Sequence, residues 1–330
     1  MKKILVSGGA GYIGSHTVQA LSKEGYGPVV LDNLITGHRK AVSEDIPFYQ
    51  GDIADEGLVS NIIEKENVNA AIHFAARSLV GESVQKPDLY FEENIAKTNR
   101  FVSTLINCGV TKVVFSSTAA TYGNPEVFPI AEESNTEPIN PYGASKLMIE
   151  QSLYWLEQAY GLKWVALRYF NAAGAALDGS LGEDHTTETH LIPLILKTAL
   201  GQREAISIFG TDYSTPDGTC IRDYIHVLDL AEAHIRALEA LDQGVVCGAY
   251  NVGTGAGYSV REVVNMAKRV TGIDIPVVEA PRRAGDPDVL VAKVEKIQKM
   301  LGWQARYSDL ETIIKTAWGW HQMHPHGYGK

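Results

Sequence analysis

The run Gly8-Gly9-Ala10-Gly11-Tyr12-Ile13-Gly14 constrains this chain more than any other stretch. It follows an apolar segment, Lys3 to Ser7, that reads as a buried strand. It opens a helical period from Ile13 to Glu24 that stops at Gly25. Gly9 to Gly14 fits G-x-G-x-x-G, and Gly8, Gly11 and Gly14 fit a spacing of three. Strand, glycine turn and helix in that order begin a parallel βαβ unit. Small residues there let the backbone approach a pyrophosphate, and the helix N-terminus offers free N–H groups and partial positive charge. The next strand, Pro28 to Leu31, closes on Asp32-Asn33, roughly 20 residues past the last glycine. A carboxylate at that place holds a ribose diol and repels a 2′-phosphate, so the expected dinucleotide is NAD rather than NADP.

Further strands are expected at Phe48 to Gln50, Ala70 to Phe74, Lys112 to Ser116 and Trp164 to Leu167. Helices are expected over Asp88 to Cys108 and Tyr142 to Tyr160. Such alternation predicts an α/β fold with a Rossmann-type doubly wound parallel sheet. Asp52 and Ile53 end the third strand and are candidates to border an adenine, although a simple strand-end turn explains them nearly as well. After about Asn171 the rhythm changes. Gly174 to Glu188 reads as a loop rich in glycine and acids. Short strands are expected near Ile206 to Phe209 and Ala249 to Val252. Helices are expected near Val227 to Leu241, Val260 to Val270, Val294 to Leu301 and Asp309 to His321. No Pro/Ser linker separates the parts. The division expected is a dinucleotide domain over residues 1–175, with part of about 225–255 packing back on it. Residues 176–330 mainly form a smaller, closely packed C-terminal substrate domain.

A net charge of −10 argues against a nucleic-acid or membrane-surface binder, which would show a basic patch. An anionic ligand must then be met by a helix N-terminus or a few arginines. Cys108, Cys220 and Cys247 are an odd set without CxxC, the pattern of idle thiols in a cytosolic protein. Met1 to Val6 mimics the start of a signal peptide but breaks into glycines at Gly8. His321, His324 and His326 cluster near the C-terminus without carboxylate or cysteine support. They read as a solvated tail, and no metal is expected.

A second constellation carries chemistry. Asn140 suits an N-cap and Pro141 the first helical position, which puts Tyr142 in the first turn and Lys146 one turn on. A cation about 5 Å from a phenol, at an effective dielectric of about 20, is worth roughly 3 kcal/mol. That would lower the phenol pKa by roughly two units and yield a base poised near neutral pH.

Together the Gly8 to Gly14 loop, Asp32, Phe74-Ala75-Ala76, Ser116-Ser117-Thr118 and Tyr142-x-x-x-Lys146 resemble the extended short-chain dehydrogenase/reductase family. More specific stretches resemble its UDP-hexose 4-epimerase branch. These are Val80 to Ser83, Arg168-Tyr169-Phe170-Asn171, Gly218 to His226 and Ala280 to Asp286, and the likeness runs from Met1 to the tail at Tyr328. The resemblance implies NAD-dependent interconversion of UDP-glucose and UDP-galactose through a transient 4-keto sugar. Tyr142 would be the acid/base, Thr118 would bond the reacting oxygen, and Lys146 would tune the phenol and bind the nicotinamide ribose. Gly8, Gly11, Tyr12, Ile13, Gly14, Asp32, Asn33, Asp52, Ile53, Phe74, Ala75, Ala76, Asn94, Ser116 and Tyr169 would complete the cofactor site. Asn171, Arg222, Arg283 and Asp286 would hold the uridine diphosphate, with Ser207, Ile208 and Phe209 beside the uracil. His190, Leu191, Tyr224 and Leu290 would line the rest. For Arg222 the competing reading is a surface ion pair with Asp223 or Asp229.

Rivals of the same fold are a nucleotide-sugar 4,6-dehydratase and a non-enzymatic NAD-binding redox sensor. Dehydratases carry acids directly after the Ser/Thr position, where this chain has Ala119-Ala120-Thr121-Tyr122. A sensor would not require Tyr142 and Lys146. Lys97 stands where relatives commonly have glycine, Ser78 or Arg77 where some have lysine, and Thr189-His190 where some have paired asparagines. Leu290 is intermediate between the tyrosine of relatives restricted to plain hexoses and the small residue of broader ones, which leaves room for the N-acetylhexosamine pair. The resemblance further implies a homodimer built from helices like Asp88–Cys108 and Tyr142–Tyr160, and the cysteine usage a cytoplasmic protein.

Overall fold

Strands β1 (Lys3–Ser7), β2 (Gly27–Asp32), β3 (Phe48–Gln50), β4 (Val68–His73), β5 (Lys112–Thr118) and β6 (Lys163–Tyr169) lie side by side in a computed structural model that describes residues 1–283 and 286–329. Ala284 and Gly285 of the expected diphosphate motif, and Lys330, lie outside the described residues. Helices α1 (Tyr12–Lys23), α2 (Glu56–Glu66), α3 (Val80–Gln85), α4 (Pro87–Tyr90), α5 (Lys97–Asn107) and α6 (Pro141–Tyr160) connect the strands. Helices α4 and α5 are joined by a wider π-type turn, Phe91–Ala96.

The strands are apolar at nearly every position because both sheet faces are covered. Ile4 and Val6 of β1 pack with Val18 and Leu21 of α1 on one face. Leu5, between them, joins Val59, Ile62, Phe101, Leu105, Ile149 and Leu153 of α2, α5 and α6 on the other. The alternation repeats at Val29, Val30 and Leu31 and at Val113, Val114 and Phe115, as a two-residue period requires.

The second half contributes β7 (Asn171–Ala173), β8 (Ile206–Phe209), β9 (Ile221–Arg222), β10 (Tyr224–His226), β11 (Gly248–Val252), β12 (Tyr258–Ser259), β13 (Val277–Ala280) and β14 (Val289–Leu290). Its helices are α7 (Leu191–Ala199), α8 (Val227–Asp242), α9 (Val260–Thr271), α10 (Glu295–Leu301) and α11 (Leu310–Met323). The main sheet has seven strands in the order β11-β6-β5-β4-β1-β2-β3, all parallel. Chain direction across the sheet reverses between β1 and β4, where ligand crevices form in such folds. Strand β11 completes the sheet, and α8 and α10 cover its face beside α1. Helices α7, α9 and α11 form a separate core with β8 and Tyr224. Short ladders β10–β7, β12–β9–β14 and β13–β8 frame that part.

Expected elements match the observed ones to within a few residues. Helices α2, α3 and α7 and strands β7, β9, β10, β12, β13 and β14 are not among the expected elements; strands of two to four residues have too little periodicity to read. Of the C-terminal histidines only His326 is exposed as a solvated tail would be. His321 is buried, the Trp320 and His324 rings stack at 5.3 Å, and Tyr328 donates its backbone N–H to Asp184 at 3.0 Å. Aromatic burial on the Gly174–His190 loop outweighs the polarity of the segment. All three cysteines are free. Among the described residues no helix is long and apolar enough to cross a membrane.

Candidate active site

The glycine loop sits at the C-terminal end of β1, against the start of β4's exit. Gly8 has φ +75°, and a Cβ there would lie 2.5 Å from the backbone nitrogen of Ala75. A Cβ on Gly14 would strike the carbonyl oxygen of Gly8. The glycines thus let three backbone segments converge. Helix α1 begins at Gly11 with no side-chain cap and no acid in its first turn, so its opening N–H groups and positive dipole end are available to an anion. Phe74 and Ala75 both donate backbone N–H to Ser7 O, at 2.8 and 3.1 Å, which ties the ends of β4 and β1 together. Tyr12 donates its hydroxyl to Gly174 O at 2.7 Å and Ile13 packs against the core, so these two anchor the loop.

Asp32 is buried at the end of β2. Its carboxylate accepts the N–H of Ala10 at 2.9 Å and of Leu34 at 2.8 Å. Burial raises its pKa and those two N–H bonds oppose the rise. Asn33 accepts from Ile35 N at 3.1 Å, a local turn bond. Ile53 is buried, and Asp52 receives Lys97 Nζ at 2.7 Å. Lys97, unexplained in the sequence, also reaches Glu93 at 2.9 Å. It bridges the end of β3 to the π turn. Within that turn Asn94 is fully buried, accepts Arg77 N at 2.8 Å and donates to Arg77 O and Ser145 Oγ, each at 3.0 Å. Asn94 thereby fixes the segment after Ala76 on helix α6. The loop, the acid and the strand-end residues together form a cradle that side chains would fill, and they fit a dinucleotide.

Helix α6 starts as its sequence requires: Asn140 Oδ1 accepts Gly143 N at 2.9 Å, with Pro141 at the first turn. Tyr142 and Lys146 are both buried on it, facing the end of β5. Lys146 Nζ donates to Ser116 O at 2.8 Å and lies 4.9 Å from the centre of the Phe115 ring. Ser116 Oγ meets Tyr169 Oη at 2.5 Å. The phenol is not lowered toward neutrality as expected. Burial raises the Tyr142 pKa, and the hydroxyl of Thr118 only partly opposes it. Burial also brings the Lys146 pKa down to about 7, with Glu150 resisting the fall. Lys146 does not act on Tyr142 as a fully charged lysine beside a solvated phenol. Instead both groups are desolvated, which disfavours both charged forms.

Arg168 has a role that its sequence context does not reveal. Its guanidinium binds both Glu150 oxygens, at 3.0 and 2.5 Å, and donates to Tyr122 Oη at 3.0 Å. Ser117 Oγ donates to the same Glu150 at 2.5 Å, and Tyr122 Oη donates to Asn251 Oδ1 at 2.7 Å. This buried network clamps α6, β5, β6 and β11 around Thr118, which caps the turn Ala119–Tyr122. Glu150 stands one turn beyond Lys146, the helical spacing that could have flagged it.

Residues expected at the sugar nucleotide gather on the second half. Arg222 is buried, donates to Ile221 O at 2.8 Å and pairs with Asp286. Neither acid of the competing reading holds it. Asp223 accepts Thr254 N at 2.8 Å, and Asp229 accepts Arg306 N at 2.9 Å. The Arg283 guanidinium lies 4.0 Å over the Phe209 ring on β8, whose Ser207 is half-buried and Ile208 buried. Asn171 donates Nδ2 to Asp223 O at 3.0 Å. Tyr224 is buried next to it on β10, which pairs with β7. Leu290 opposes Arg222 across β14 and β9 and packs against the cluster of Ala119, Tyr122 and Ile130. His190 is half-exposed at the start of α7, followed by Leu191. A cavity of about 270 Å³ lined by Lys2, Asn69, Lys112 and Asp242 lies at the opposite, N-terminal ends of the strands, away from these groups.

Residues 4–253 match the NAD dependent epimerase/dehydratase family, and the chain belongs to it. It is 54% identical over 325 residues to a UDP-glucose 4-epimerase of Halalkalibacterium halodurans, covering 98% of this chain and 97% of the relative. A crystal structure of a UDP-glucose 4-epimerase superposes with a TM-score of 0.97 at 51% identity, covering all of both chains. That of Brucella ovis UDP-glucose 4-epimerase in complex with NAD superposes with a TM-score of 0.94 at 49% identity, over 96% of this chain and 98% of that one.

Proposed function

We propose that this protein is an isomerase that interconverts UDP-glucose and UDP-galactose with NAD as its resident cofactor. The observation that carries the reading is Tyr142 beside Thr118, on the same strand-end rim as the Gly8–Gly14 cradle. Gly8, Gly11, Gly14, Asp32 and the Phe74–Ala76 segment would hold the dinucleotide. When bound, NAD supplies reversible oxidation of the sugar at C4. Tyr142 takes and returns the proton of the 4-hydroxyl, and Thr118 orients that oxygen. Arg222 and Arg283, with Asn171 and Asp286, grip the diphosphate as arginine forks do, so the hexose turns over while its anchor stays fixed. The dinucleotide part takes residues 1–175 with a returning piece near 225–255, and the sugar-nucleotide part takes most of 176–330.

The test is to give the purified protein UDP-glucose without added reductant and resolve the products. UDP-galactose is the expected product, with NAD recovered from the denatured protein. A 4-keto-6-deoxy product would point to a dehydratase, and NAD without turnover to a sensor.

A cytoplasmic homodimer belongs to the same reading. Met148 and Trp155, seven residues apart and so on one face of α6, are 47% and 67% exposed. Apolar groups of that size left in water suit a subunit contact.

Leu290 supports a broader substrate range. It borders the turn after Thr118, where an N-acetyl group would have to pass during rotation. Leu290→Tyr is expected to spare the plain hexose and penalise UDP-N-acetylglucosamine. Overpacking commonly costs about 1–3 kcal/mol, or roughly a 5- to 150-fold loss in kcat/KM. Equal loss of both activities would place the rotation space elsewhere.

A further inference from the structure

The Gly174–His190 loop brings four side chains to one point. One donor atom from each of Glu183, His185, Glu188 and His190 lies within 4.8 Å of all the others. His190 Nδ1 is 2.7 Å from Glu183 Oε1 and 3.0 Å from Glu188 Oε1. His185 Nδ1 is 3.2 Å from Glu183 Oε1 and 3.4 Å from Glu188 Oε2. Zinc ligands at about 2.0–2.2 Å define a tetrahedron with edges of about 3.3–3.6 Å. The four His–Glu separations lie at or somewhat below that edge, and all four donors fall within 4.8 Å of one another.

A second observation points the same way. The side chains of Glu183 and Glu188 are only 5% and 4% exposed. No lysine or arginine pairs with either among the described residues. Glu188 Oε1 accepts the N–H groups of Thr189 and His190, each at 2.8 Å, whereas its Oε2 is buried without a hydrogen-bond partner. His185 Nδ1 is likewise buried and makes no hydrogen bond, although both carboxylates lie within 3.4 Å of it. Buried polar atoms in this state call for a ligand. Two carboxylates out of water call for positive charge, which without an ion falls to the two imidazoles. Two imidazoles with two carboxylates suit zinc, whereas calcium and magnesium prefer all-oxygen sets.

We propose that Glu183, His185, Glu188 and His190 form a structural zinc site. The ion would close the loop between the glycine cradle and the substrate-side helix. The His185 ring lies 6.4 Å from that of Tyr12, Asp184 O bonds His38 at 2.9 Å, and His190 precedes α7. The site has four protein ligands and no open position, so the ion would be structural, and His190, expected at the sugar nucleotide, would serve the loop instead.

The test uses tag-free protein with its NAD retained, stripped with a chelator and titrated with ZnCl2 by calorimetry. About one zinc per chain is expected, with a rise in melting temperature on binding. His185→Ala and Glu188→Gln should each weaken zinc by more than about 100-fold and abolish that rise. Co²⁺ in the stripped wild type should give the intense visible bands of a tetrahedral site, and this reading stands even if a variant fails to fold. No saturable zinc binding, equal binding by wild type and both variants, or an octahedral cobalt spectrum would overturn the proposal and leave an ion-pair cluster.

Discussion

Tyr142→Phe is expected to lose about 10²- to 10⁴-fold in kcat while binding UDP-sugar as wild type does. Only the ionisable oxygen is removed, and the ring keeps its place in the first turn of α6. Because burial raises the phenol pKa, the base form grows as pH rises, so the wild-type profile should climb above neutrality. The variant should lack that climb. Lys146→Met should impair turnover and NAD retention together, since its Nζ is buried beside Tyr142's end of β5 and holds Ser116 O. Steady-state kinetics across pH, with UDP titrations beside them, check this. Near-normal kcat in the phenylalanine variant would remove Tyr142 from the chemistry.

The second large effect concerns Arg222. Arg222→Ala should weaken UDP by about 2–5 kcal/mol, because a buried guanidinium that meets a phosphate leaves an unpaired charge when deleted. That is roughly 30- to 5,000-fold in Kd. Bound NAD should stay, since the cradle lies on other elements. Arg222 already pairs with Asp286, so Asp286→Asn is the control that separates loss of the fork from loss of its orientation. Calorimetry with UDP decides between the roles. An unchanged Kd would reassign Arg222 to a structural ion pair.

The sequence alone determined what depends on near neighbours. The strand, glycine loop and helix at Lys3 to Lys23 follow from a short continuous apolar run and then a 3.6-residue period, separated by residues without a Cβ. The Asn140 cap and the Tyr142–Lys146 spacing are equally local, and so was the Asp32 position, fixed by where β2 ends. What joins residues distant in the chain was decided only by tertiary structure. Lys97 found Asp52, Arg168 found Glu150, and Leu290 came to lie opposite Arg222 because sheet order and short ladders brought them together. The same holds for the phenol of Tyr142. Its pKa follows the water excluded by the whole fold and not the charge one turn away, since desolvation acts on both partners of the pair. The Glu183–His190 cluster belongs to both categories. Its four residues fall within one loop, but their convergence depends on that loop being held between the glycine cradle and helix α11.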